Sequence, residues 1–175
     1  MTRKIVLLLI SGLFLTATSP GCGVVLECSN NLDGTTLGFT LIVPAEYVCQ
    51  GSLPASPPAL ALLGYSDSTT DWSVFVFVTE PPTDGEQVNG GLVDGATAEE
   101  LDPYTSTPNG IVFEQAKLTS SDGGFTYVIA VTTLSSGNLL AILVAVPADA
   151  ATPADDAALL TLLNTIANSV AFTGA

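Results

Sequence analysis

The stretch Ile111–Val146, IVFEQAKLTSSDGGFTYVIAVTTLSSGNLLAILVAV, decides the fold. It holds three apolar runs, Ile111 to Leu118, Phe125 to Thr133 and Leu139 to Val146. Between them lie Ser120-Ser121-Asp122-Gly123-Gly124 and Ser135-Ser136-Gly137-Asn138. Short glycine-containing separators between β-forming runs are hairpin connections, because glycine supplies the positive φ that tight turns require. The three runs are therefore neighbours in an antiparallel meander. Pro147 stops the last of them, since proline has no N–H to add to a ladder.

Upstream, Trp72 to Thr79 sets Trp72, Val74, Val76 and Val78 on one face and Phe75 and Phe77 on the other. A strand apolar on both faces is central in its sheet and covered on both sides. Thr36 to Val43 reads as an opening strand ended by Pro44, and Ala59 to Tyr65 as a shorter one. Asn30 to Gly34 reads as a turn, and Gly51 to Pro58, with Pro54, Pro57 and Pro58, as a loop. Glu80 to Pro108 is long, acidic and rich in glycine and proline; one short helix is expected in it, at Thr97 to Leu101. Downstream, Thr152-Pro153-Ala154-Asp155 predicts a helix start, with a hydroxyl cap, proline in the first turn and acids at the positive end of the dipole. Leu159, Leu163, Ile166 and Val170 then recur at the spacing of one buried face. The expected class is α+β: an antiparallel sheet of about five to seven strands flanked by helices.

The N-terminus has another character. Arg3 and Lys4 precede an apolar run from Ile5 to Phe14, and small residues follow as far as Gly23. That order is a secretory leader. Its apolar run, about ten residues, is half of the roughly 20 that a membrane-crossing helix needs. Residues 17–22 read Ala17-Thr18-Ser19-Pro20-Gly21-Cys22 and resemble the bacterial lipobox, in which a small residue precedes a cysteine that is acylated and becomes the new N-terminus. Gly21 and Cys22 fit it; Ser19 and Pro20 depart from the usual residues, and ordinary secretion is the alternative. The expected organisation is a leader over 1–21, a tether over 22–35 and a single globular domain over 36–175.

Cysteine arithmetic points the same way. The chain has three cysteines, Cys22, Cys28 and Cys49, and an odd number in an exported protein asks for an explanation. Acylation of Cys22 leaves Cys28 and Cys49 to pair in an oxidising compartment. The other reading keeps Cys28 free and Cys49 as a small buried residue.

With the leader gone, Lys117 is the one basic side chain, and one lysine set against seventeen carboxylates gives −16. Such a surface repels nucleic acid and anionic head groups. The chain has no histidine, so it has no ordinary serine or cysteine hydrolase triad and no imidazole for zinc. Without arginine beyond the leader it has no guanidinium clamp for phosphate or carboxylate. Glu99-Glu100 and Asp155-Asp156 are adjacent in sequence and would point apart on a helix, so neither is an acid and base pair. The reading is of a chain that is not an enzyme. Calcium is the one candidate cofactor: Asp84, Glu86, Asp94, Glu99 and Asp102 gather oxygen donors of the kind a hard cation takes, without the spacing of an EF-hand.

The order of elements, with Gly38-Phe39-Thr40-Leu41-Ile42-Val43-Pro44 at the start, an Asn109-Gly110 turn before three antiparallel strands, and a leucine-rich closing helix ending Ala167-Asn168-Ser169-Val170-Ala171-Phe172, resembles the PsbP-like family. That family includes bacterial lipoproteins of the DcrB and LpqN types. The resemblance covers Thr36 to Phe172 and implies an antiparallel sheet with helices on both faces. It also implies a non-catalytic accessory or binding domain, held at a membrane through its lipid and facing an envelope partner. No functional residue is carried over by it.

Overall fold

The computed structural model describes residues 26–52, 59–80 and 97–173. The strands are β1 (Asn31–Gly34), β2 (Phe39–Ile42), β3 (Val48–Ser52), β4 (Ala59–Asp67), β5 (Trp72–Thr79), β6 (Thr97–Thr105), β7 (Val112–Thr119), β8 (Phe125–Thr133), β9 (Leu139–Pro147) and β10 (Ala171–Phe172). One α-helix among the described residues, α1 (Asp156–Ser169), precedes β10. Seven strands form an antiparallel sheet in the order β3-β4-β5-β9-β8-β7-β6, and β1-β2-β10 form a second, smaller one. The chain is thus a sheet-rich α+β protein.

The meander of Ile111–Val146 is β7, β8 and β9, within a residue of the expected bounds, and β5 stands beside β9 as a central strand. The alternation in β5 is realised: Trp72, Val74, Val76 and Val78 enter one buried cluster, while Phe77, with Phe75 packed beside it, enters another on the opposite face. Over the first face lie α1 and the small sheet side by side. They contribute Leu159, Leu163, Ile166 and Ala167 from the helix and Leu32, Phe39 and Leu41 from the strands. Ser169 joins the two, accepting a 2.8 Å hydrogen bond at Oγ from the Ile42 backbone N–H. The helices expected on both faces reduce, among the described residues, to this single one on the first face.

Three local readings are corrected. Asn31–Gly34 is a strand rather than a turn, paired with β2 from Asn31↔Ile42 to Gly34↔Phe39. Its turn-like composition is overridden by burial of Leu32 and by Gly34, where a Cβ would lie 2.7 Å from the Phe39 ring. This strand falls inside the stretch that the sequence marks as a tether. Thr97–Leu101, expected to be helical, belongs to β6, the edge of the large sheet. The helix-forming side chains there are nearly all exposed, so packing does not decide their conformation, whereas the open hydrogen-bonding row of β7 does. Glu99, Glu100, Asp102 and Pro103 then suit an edge, since charge and proline discourage pairing with a further strand.

The third correction concerns the helix start. Asp155, not Thr152, is the cap, its carboxylate accepting from the Ala157 N–H at 3.0 Å, and the helix begins at Asp156. Thr152 and its neighbours are engaged elsewhere: the Trp72 indole donates to the Thr152 carbonyl at 2.8 Å, and the Ala151 N–H donates to Asp71 at 2.9 Å. The β4–β5 hairpin thus holds residues 151–152 and postpones the helix.

Candidate functional site

The first cluster of chemical interest is a strap at the start of the described chain. Cys28 and Cys49 form a disulfide with Cα atoms 5.7 Å apart, as the cysteine count led one to expect. Cys49 stands opposite Tyr65 in the β3–β4 ladder, and the Tyr65 hydroxyl donates to the Ser29 carbonyl at 2.9 Å. One residue on, the Asn30 side-chain amide donates to the carbonyls of Val43, Pro44 and Tyr47 at 3.2, 2.9 and 2.8 Å. Leu26 is buried in the main core. A covalent bond, a buried phenol and a side-chain amide therefore fix the strap to the corner formed by residues 43–49 and β4. Burial pushes the hydroxyls of Tyr65 and Tyr47 up to about 12; the nearby charges of Asp67 and Glu46 add to the effect on Tyr47. Cys22, the expected lipid attachment point, lies outside the described residues.

The acidic candidates for calcium separate. Asp84, Glu86 and Asp94 lie outside the described residues. Glu99 and Asp102 are on β6, where Glu99 is opposite Lys117 and Asp102 falls at the irregularity between Leu101 and Tyr104. Lys117 reaches the helix start, its Nζ 2.6 and 2.7 Å from the two Asp156 oxygens. Among the described residues, no three acidic, cysteine or histidine side chains form a group that could hold a metal ion. Asp67 closes the β4–β5 hairpin: its carboxylate accepts from the Thr69 N–H and from the Thr69 and Thr70 hydroxyls, which hold its pKa below the usual carboxylate value.

Sequence reasoning missed a groove of about 490 Å³ where β7, β8 and β9 meet β10. Val112, Val131, Leu139 and Phe172 supply its apolar wall, with Glu114 and Thr133 as polar groups. Val112 and Phe172 are 52% and 41% exposed, unusual for large apolar side chains here. Asn109 supports the rim, donating to the Val170 carbonyl at 2.6 Å. Chemically the groove can take an apolar group and offer Glu114 to a donor; it contains no nucleophile paired with a base. The one sequence signal for it was the placing of Val112 on the same face as Glu114.

No helix among the described residues is long and apolar enough to cross a membrane. No model of a known protein family matches this chain, and comparison with curated proteins gives no match either.

Proposed function

We propose that this chain is an exported, lipid-anchored envelope protein whose α+β domain, of PsbP-like architecture, is a non-catalytic binding or accessory module. The observation that carries the reading is the Cys28–Cys49 disulfide. Disulfides of this structural kind persist in oxidising compartments, which is where the leader would deliver the chain. The bond also accounts for two of the three cysteines and leaves Cys22 for acylation. Binding is assigned to the groove beside Val112 and Phe172, whose exposed apolar wall gives a partner something to cover.

Mass spectrometry of the N-terminus of the protein recovered from its host tests the reading. A chain beginning at Cys22 and carrying acyl mass is the expected result. An unmodified first residue refutes the anchor, and an uncleaved chain with free thiols at Cys28 and Cys49 refutes export as well.

A further inference from the structure

The return of the chain after α1 leaves an unpaired piece of sheet edge inside the groove. β10 bonds to β2 on one side: the Thr173 N–H donates to the Gly38 carbonyl at 3.0 Å, and Phe172 and Ala171 stand opposite Phe39 and Thr40. Bonded and non-bonded pairs alternate along an antiparallel ladder. Ala171 and Thr173 therefore turn their N–H and C=O toward β2, and Phe172 turns its own outward. The same register carried back to Ser169 agrees, since its hydroxyl meets the Ile42 N–H and carbonyl where a bonded pair would fall. On the outward side the Val170 carbonyl is taken by the Asn109 amide at 2.6 Å. Phe172 is the next outward residue, and among the described residues nothing bonds its N–H or its carbonyl.

The wall across from that edge carries one charge. Glu114 shares a face of β7 with Val112, two positions and about 7 Å along the strand, and stands opposite Val131. It is half-buried, and among the described residues its carboxylate has no ion-pair or hydrogen-bond partner. The groove thus offers a backbone donor, a backbone acceptor and a carboxylate around an apolar wall.

Taking this groove as the binding site, we propose that its occupant is an extended segment of another protein, one basic residue of which pairs its backbone with Phe172 and its side-chain cation with Glu114. A purely apolar ligand would displace water from the three polar groups and leave them unmade, which costs affinity. A peptide residue standing opposite Phe172 in a bonded antiparallel pair exchanges both backbone bonds with it. Its side chain then projects on the same side as the Phe172 ring. A lysine or arginine at that place lays its aliphatic stem along Phe172 and Val112 and brings its charge to Glu114.

Charge decides between another protein and a second copy. The domain beyond the leader carries −16, a field that draws cationic partners and repels its own kind. Outside Arg3 and Lys4 the chain's one basic side chain is Lys117, and that is held by Asp156 at 2.6 Å. A second copy therefore brings no free cation to Glu114. Since the Val170 carbonyl is already occupied by Asn109, the ladder offered to the partner is short, and recognition centres on a single basic residue.

Titration of the full chain in detergent micelles with the blocked peptide Thr-Thr-Lys-Thr-Thr, followed by nuclear magnetic resonance, tests this. The expected result is a shift of the Phe172 N–H and the Val112 methyl signals. Glu114→Gln is expected to weaken the lysine peptide roughly two- to fivefold and to leave its glutamine counterpart, Thr-Thr-Gln-Thr-Thr, unaffected. On the unaltered protein, methylating the backbone nitrogen of the lysine is expected to weaken binding roughly two- to tenfold. Equal sensitivity of the two peptides to Glu114→Gln, or equal affinity of the methylated peptide, would overturn the proposal. Indole, a small apolar probe, separates the two levels of inference. If indole shifts Val112 and Phe172 and the lysine peptide does not, the basic-peptide partner is wrong and the groove stands as a binding site. If neither does, both are wrong, and neither outcome depends on the anchor at Cys22.

Discussion

Reducing the Cys28–Cys49 bond should lower stability by about 3 kcal/mol, the chain-entropy value for a bond across a sequence separation of 21. For a domain of this size, at about 2–4 °C per kcal/mol, that is a fall in Tm of roughly 6–12 °C. The strap can be considered separately. Holding residues 26–29 in one backbone conformation costs roughly 4–8 kcal/mol at about 1–2 kcal/mol per residue. Against this, burial of Leu26 contributes about 2 kcal/mol and the Tyr65 to Ser29 hydrogen bond about 1 kcal/mol. Without the covalent tie the strap should therefore detach as far as the Asn30 clamp, before the sheet itself is lost. Calorimetry with and without a phosphine reductant measures the first effect, and hydrogen exchange of residues 26–29 against β8 and β9 measures the second. Thiol titration must show that the bond has been opened. If it has, and both Tm and the exchange of the strap are unchanged, the account of the strap is wrong.

Two further outcomes follow from charge. Tyr47 and Tyr65 both titrate higher in the folded protein than the ordinary tyrosine value of 10.0, at about 12. Their contribution is complete below pH 10 and is lost as pH rises from 10 to 12, because the unfolded chain ionises first. At about 1.4 kcal/mol per pH unit, each can cost roughly 2–3 kcal/mol across that window. Urea unfolding between pH 9 and 11.5 should show a shallower loss for Tyr65→Phe than for the parent, and parallel losses would refute the assignment. The large excess of carboxylates over lysine predicts that Tm rises with NaCl up to the concentration at which repulsion is screened, with a Debye length near 8–10 Å at physiological strength. A flat or falling curve would show that self-repulsion is not a significant cost to this fold.

The sequence was most legible where local pattern and tertiary role agree. β5 and the β7–β9 meander have apolar alternation, β-branched residues and glycine turns that all favour the same structure. It was least legible where a distant contact decides the outcome. Asn31–Gly34 has the composition of a turn and is a strand because Leu32 finds a core and Gly34 admits the Phe39 ring. The Thr152-Pro153 start signal is in place, but Trp72 and Asp71, some 80 residues earlier, hold that backbone for themselves. β6 has a helical composition and is a strand because it completes the edge of a sheet. The disulfide was readable by counting, without geometry. Of the groove only the shared face of Val112 and Glu114 was readable, since Val112, Val131, Leu139 and Phe172 meet only through the register of β7, β8 and β9 and the return of the chain after α1.

If Cys22 carries the lipid as proposed, the strap also orients the molecule. Residues 22–26 span at most about 14 Å, so the corner containing Tyr47, Cys49 and Tyr65 is held next to the membrane. Trp72, the one tryptophan, pairs with Asp67 at that same end of the sheet. Val112, at the groove, is level with Leu139 and lies two strands beyond β9, roughly 25–30 Å away from Trp72. The groove would then face away from the lipid, open to a partner, while the −16 charge resists collapse of the domain onto anionic head groups. Energy transfer to a dansyl lipid in vesicles carrying the membrane-extracted protein measures the difference. Transfer from Trp72 should exceed transfer from Val112→Trp made in a Trp72→Phe background, a position exposed enough to accept the larger ring. Equal or reversed efficiencies would mean that the strap does not set the orientation, even if Cys22 is acylated.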